Sequence, residues 1–166
     1  MNSKVLVIGL VIFSLMAIIG SYFFLVGSQK SQPSIISYTL SDKERPKIEA
    51  KITLFDVGKM KISEDRSADF KIKNIGQKSL QLSNISSSCS CTFGQVIING
   101  KESELFGMHK ISDFAGEVLP GKEATVRVTY RPSIMPVYGV IEREVFVNTN
   151  DPENPKLVFK VKANVK

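Results

Sequence analysis

Both cysteines of this chain fall in one octapeptide, SSSCSCTF at residues 86–93, with a single serine between them. On an extended strand, side chains two residues apart point to the same face, so Cys89 and Cys91 would present their sulfurs side by side. Their α-carbons would then stand nearly 7 Å apart, at the far limit for a disulfide, so a bond between them requires a turn at Ser90. Three chemistries are open to such a pair. Two thiolates on one face suit a soft ion such as copper(I), with Met108 and His109 as candidate further ligands. A thiol redox protein would use the same two sulfurs, although no flanking cation or helix start is present to stabilise a thiolate, and the two-residue spacing of thioredoxin-like motifs is missing. The third reading is structural: a small-loop disulfide, or two buried thiols, closing a strand end.

Other chemistry is sparse. The chain has one histidine, no tryptophan, no nucleophile elbow and no phosphate-binding glycine loop. Its acidic residues are spread along alternating strand faces and form no catalytic constellation. The expectation is a non-enzyme, with thiol oxidoreductase activity as the exception the cysteines leave open. No resident cofactor is expected apart from the copper(I) alternative.

The elements that would position the cysteines follow a period of two. Ile48, Ala50, Ile52 and Leu54 alternate with Lys47, Glu49 and Lys51. Ala68, Phe70 and Ile72 alternate with Asp69, Lys71 and Lys73; Leu80, Leu82 and Ile85 run into the cysteines. Val96–Ile98 precedes the tight-turn pair Asn99-Gly100. Ala124, Val126, Val128 and Tyr130 follow the turn LPGKE, Tyr138 to Val147 forms a further strand, and Leu157 to Val165 alternates to the end after NTNDPENP. This pattern predicts an all-β, immunoglobulin-like antiparallel β-sandwich over residues 47–166. The segment KESELFGMHKISDFAG, residues 101–116, is irregular; its apolar residues at every third position fit a short amphipathic helix or a loop pinned by apolar side chains, and the interruptions at Gly107 and Gly116 favour a loop lying over one end of the sandwich.

Residues 5–26 carry no charge. As a helix they would cover about 33 Å, enough for a hydrocarbon core of about 30 Å. The sequence therefore predicts a transmembrane signal-anchor at 1–27 and a polar, proline-containing tether at 28–46. Cleavage after Ser28 is the alternative, and a lipoprotein is excluded because no cysteine follows the run. Lys4 before the helix and Lys30 after it favour a cytoplasmic N-terminus, which would place the domain outside the cytoplasm, periplasmic or at the cell surface. The formal net charge is +6, but the lysines alternate with apolar residues as on a solvated sheet face, so nucleic acid is not an expected partner.

Five landmarks, in order, carry a resemblance: FDVG at 55–58, the Asn-x-Gly turn within FKIKNIGQKS, SSSCSCT at 86–92, LPGKE at 119–123 and VNTNDP at 147–152. Over residues 55–166 the chain resembles the bacterial domain-of-unknown-function family 1573. The resemblance implies an exported immunoglobulin-like sandwich akin to domains of cilium and sperm proteins, with no established activity. Two departures stand out: Ser90 replaces the family's usual glycine, and the interval from Thr92 to Leu119 is longer. The resulting expectation is a membrane-anchored extracytoplasmic module that binds a protein or cell-envelope partner, with copper handling through Cys89 and Cys91 as the alternative and thiol redox chemistry as a third.

Overall fold

A computed structural model describes residues 3–27 and 34–166, the side chains of 4–6 and 23–27 aside. The chain divides into two units, residues 1–33 and 34–166. The first contains one helix, α1, Ser3–Gly27. Its serines turn inward on the helix backbone, Ser14 Oγ donating to Val11 O at 2.9 Å and Ser21 Oγ to Ile18 O at 2.8 Å. Among the described residues no helix is long and apolar enough to cross a membrane. This corrects the expected single-pass anchor and, with it, the assignment of the domain to the outside of a cell membrane. The cleavage position after Ser28, the orienting Lys30 and the start of the expected tether lie outside the described residues, as does the side chain of Lys4.

The second unit is a sandwich of two five-stranded sheets. In chain order its strands are β1 Ile48–Ala50, β2 Leu54–Met60, β3 Arg66–Asn74, β4 Leu80–Ser87, β5 Thr92–Ile98, β6 Lys101–Glu102, β7 Gly116–Val118, β8 Glu123–Tyr130, β9 Gly139–Thr149 and β10 Lys156–Val165. One sheet has the order β1-β3-β8-β5-β6, the other β2-β10-β9-β4-β7. All pairings are antiparallel except β2 with β10, which is parallel. The inward positions anticipated from the alternation are the buried ones: Ala68, Phe70 and Ile72 on β3, Ala124 to Tyr130 on β8, and Phe159 to Val165 on β10. The two sheets meet at Phe70 and Phe159, whose rings pack tilted with centroids 5.2 Å apart.

The first predicted strand is two. β1 stops at Ala50, and Ile52 and Leu54 are exposed. The register pairs Ala50 with Ile72, so one more step would set Lys51 directly opposite Lys71. Like charges facing each other across strands are unfavourable, and the chain crosses to the other sheet at this point. Residues 101–116 also depart from expectation. They run down the side of the sandwich, bridging Gly94 of one sheet through Phe106 and Ile85 of the other through Ser112. Met108 and Ile111 are exposed, so the threefold spacing does not pin the segment.

The end holding the β3–β4 and β9–β10 turns is closed by buried polar side chains. Asn74 donates to Lys78 O and Val118 O, both at 2.8 Å, and accepts from Gly76 N. Asp151 accepts from Ile48 N, Glu153 N and Asn154 Nδ2. Asn150 accepts from Gln81 N at 2.8 Å and donates to Ser79 O. Gln81 in turn clamps the segment before β1, accepting from Ile36 N and donating to Ser34 O. These bonds explain why Asn-x-Gly and Thr-Asn-Asp mark the sequence: they satisfy the backbone groups of turns that are out of reach of water.

The disulfide end as a candidate functional site

At the opposite end, β4 runs into β5 through a tight turn, with Thr92 N donating to Cys89 O at 3.2 Å. The turn draws the α-carbons of Cys89 and Cys91 to 5.3 Å, and the two sulfurs are bonded to each other. Ser90 does not need the left-handed backbone that glycine favours, since Asn84 and Asn99 are the non-glycine residues with positive φ among those described. The turn is held from all sides. Ser87 Oγ donates to Cys89 O at 2.8 Å, Thr92 Oγ1 donates to Cys89 Sγ at 3.3 Å, and Ser88 N donates to Glu144 O at 2.9 Å.

The structure brings His109 to this turn, its Nε2 in hydrogen-bond contact with Ser90 Oγ at 3.3 Å. Met108 beside it is exposed. With the sulfurs joined, Cys89 and Cys91 present no thiolate pair to a soft metal, and among the described residues no three His, Cys, Asp or Glu side chains gather as a metal site. Cys91 is fully buried and Cys89 is 8% exposed, so neither sulfur offers a ready path to an attacking thiolate.

Arg131 joins the turn to the neighbouring loop. Its backbone N–H donates to Cys91 O at 2.8 Å, its guanidinium lies 5.1 Å from the centre of the Phe93 ring, and Asp65 Oδ2 is 3.1 Å from its Nε. Just beyond Arg131, a single turn of 3-10 helix, Pro132–Ile134, opens the run PSIMPVYGV. Residues 132–140 contain no charge, and after the buried Pro132 every one of them is exposed. Ile134, Met135, Val137, Tyr138 and Val140 are between 38% and 68% exposed. Soluble surfaces rarely leave so many large apolar side chains contiguous without a use for them. The strand expected from Tyr138 begins at Gly139, and nothing in the sequence marks the run before it as exposed, since the uncharged stretch at residues 79–100 is longer and largely forms β4 and β5.

Beneath the loop, Tyr130 is fully buried, with the Arg143 guanidinium 5.7 Å from its ring centre. Its hydroxyl has no hydrogen-bond partner. Burial pushes the phenol above its ordinary pKa, and the nearby Arg143 charge offsets this only in part.

Residues 46–164 match the model of the HYDIN/CFA65/VesB-like, Ig-like domain. The chain belongs to that family. The match is to this family and does not single out domain-of-unknown-function family 1573. No curated protein matches the chain. Among solved structures, a protein of unknown function from Porphyromonas gingivalis W83 is similar at 21% identity and a TM-score of 0.55, over 73% of this chain and 47% of that one. The chain thus spans less than half the length of that structure. A family 123 glycoside hydrolase from Clostridium perfringens aligns at 9% identity and a TM-score of 0.50, over 68% of this chain and 22% of that one. The seventh PapD-like domain of human CEP192 aligns at 15% identity and a TM-score of 0.48, over 81% of this chain and 98% of the domain. At these identities the likenesses concern the fold alone.

Proposed function

We propose that this HYDIN/CFA65/VesB-like Ig-like domain is a protein-interaction module that engages its partner through the apolar run at residues 132–140, the loop before β9 together with the first two residues of that strand. The observation that carries the reading is the combination of a charge-free, exposed run with a rigid base: Arg131 is fastened to the disulfide turn, so the loop is presented on fixed supports. A loop held in place loses less conformational entropy when it docks. Tyr138 and Met135 are of the types enriched at interface cores, and an uncharged surface suits a partner patch that is itself apolar. The disulfide on this reading is a structural brace.

The test places a photo-crosslinking amino acid at Tyr138 in the full chain, with a second probe at Lys162 on the outer face of β10 as control. A discrete adduct from position 138, absent from position 162 and lost when Met135→Asp is added, is the expected result. Equal labelling from the two positions, or an adduct indifferent to Met135→Asp, would remove the loop from the interface.

A further inference from the structure

We propose that the open edge of β3 at Asp69–Lys71 docks a short extended peptide carrying an acidic residue, a site separate from the apolar loop. β3 pairs with β8 from Arg66 to Lys73, but with β1 only from Ile72 to Asn74. Where the chain leaves the sheet after Ala50, a notch of about 540 Å³ remains, lined by Lys51 and Ile52 on one side and by Asp69 to Lys73 on the other. One side of the β3 backbone at Asp69–Lys71 therefore has no strand beside it in the sheet. Such an edge accepts extended backbone and little else, because its donors and acceptors repeat at the strand period.

The charges around the notch specify the visitor. Glu49, Lys73 and Glu123 face one another in register across β1, β3 and β8, so Lys73 already has an acid on each side. Asp69 is also engaged: Arg127 Nε donates to Oδ1 at 2.8 Å and Arg127 Nη2 to Oδ2 at 3.0 Å. Lys71 faces only Thr125 on its paired side, and Lys51 stands across the notch. The chain's own continuation would bring lysine to lysine here. A visiting strand with Asp or Glu opposite Lys71 removes that conflict and lies between two unpaired ammonium groups. Running antiparallel to β3, its next residue faces Phe70 and turns inward beside Ile52, which calls for an apolar side chain. The one after that faces Asp69, already neutralised, and is uncharged. The recognised pattern is acidic, apolar, small polar.

The probe is the blocked pentapeptide Glu-Val-Ser-Val-Thr, whose glutamate faces Lys71 and whose remaining residues run along Phe70 to Ser67, titrated into the full chain while the backbone amide NMR signals of residues 67–73 are followed. Shifts concentrated there, about tenfold weaker binding when the glutamate is replaced by lysine, and a reversed preference in Lys71→Glu are expected. Asn74 N and O bond to Lys122 and Gly121 on the β8 side, so by alternation Asp69 and Lys71 turn their backbone groups to the open edge, and a peptide with proline opposite Asp69 should not bind, having lost a ladder donor. The proposal is overturned if millimolar peptide leaves these amides unmoved, if the glutamate and lysine peptides bind wild type equally, if Lys71→Glu does not reverse their order, or if the shifts fall on 132–140 instead. The double variant Met135→Asp, Tyr138→Asp should retain peptide binding, so that failure here and failure of the loop as an interface are separate results.

Discussion

The backbone N–H of Arg131 donates to the carbonyl of Cys91 at 2.8 Å, fastening the residue that precedes the apolar loop to the disulfide turn. The covalent link itself closes a loop of only three residues. Loop-closure entropy for so small a ring amounts to about 1.6 kcal/mol, well below what a long-range bridge gives. The double variant Cys89→Ala, Cys91→Ala should therefore fold and lose about 2 kcal/mol in urea denaturation, with β5 amides at the turn exchanging faster. A loss of 4 kcal/mol or more, or failure to fold, would show that the bridge organises the whole sandwich and not merely its end.

Tyr130 gives a pH dependence with a definite sign. Its phenol titrates above the ordinary value of 10.0 in the folded chain because it is buried. Between that ordinary value and the raised one, the unfolded chain ionises while the folded chain keeps its proton, so stability falls as pH rises. Below pH 10 this contribution is fully present. Tyr130→Phe should flatten the alkaline decline in stability and, since the hydroxyl has no partner to lose, be at least as stable as wild type at neutral pH. Denaturant midpoints from pH 7 to 11 decide it; parallel declines for the two proteins would mean that other groups dominate.

The strand pattern was legible because burial is regular: wherever side chains alternate between core and water, as in Ala68–Ile72 or Phe159–Val165, the sequence shows the alternation directly. It misled at Ile52 and Leu54, where the period continues but the strand does not, because the conflict of Lys51 with Lys71 depends on a register between segments twenty residues apart. Residues 5–26 were misread for a related reason: composition suggested a crossing, whereas no helix among the described residues is long and apolar enough to make one. At the disulfide turn the sequence supplied the geometric requirement, a bend at Ser90, but could not place His109, which lies nineteen positions away. The apolar loop was overlooked because hydrophobic residues are ordinarily assigned inward, and only the fold shows these pointing out.

The buried polar end makes a further quantitative claim. Asn74 is fully buried and fills four roles, two as donor and two as acceptor, the second acceptance being from Lys47 N at 3.4 Å. Asn74→Ala strands several backbone groups without water, at about 1–3 kcal/mol each for those that find no new partner. A destabilisation of about 3 kcal/mol by denaturant is expected, with the crosslinking pattern from Tyr138 unchanged, because the two ends of the sandwich are separate. A loss below 1 kcal/mol would mean that solvent reaches the turn and replaces the amide.

Gly76 tests the same turn through shape alone. A β-carbon built there would stand 2.3 Å from Lys47 N and 2.4 Å from Arg45 O, both backbone atoms. Neither can rotate away as a side chain would, so the segment at 45–47 must move, and with it the hydrogen bonds from Ile75 N to Lys47 O and from Gln77 N to Arg45 O. Gly94 offers the contrast: there the added carbon meets the side chains of Val145 at 2.6 Å and Ile85 at 2.9 Å, which can repack. Gly94→Ala should cost about 1–3 kcal/mol as an overpacked core. Gly76→Ala should cost more, and its extra loss should appear as faster hydrogen exchange at Ile75, Gln77 and Ile48, while Gly94→Ala leaves those amides protected. If the two variants were equally stable with the same exchange pattern, the close approach at residues 45–47 would not be what requires glycine in this turn.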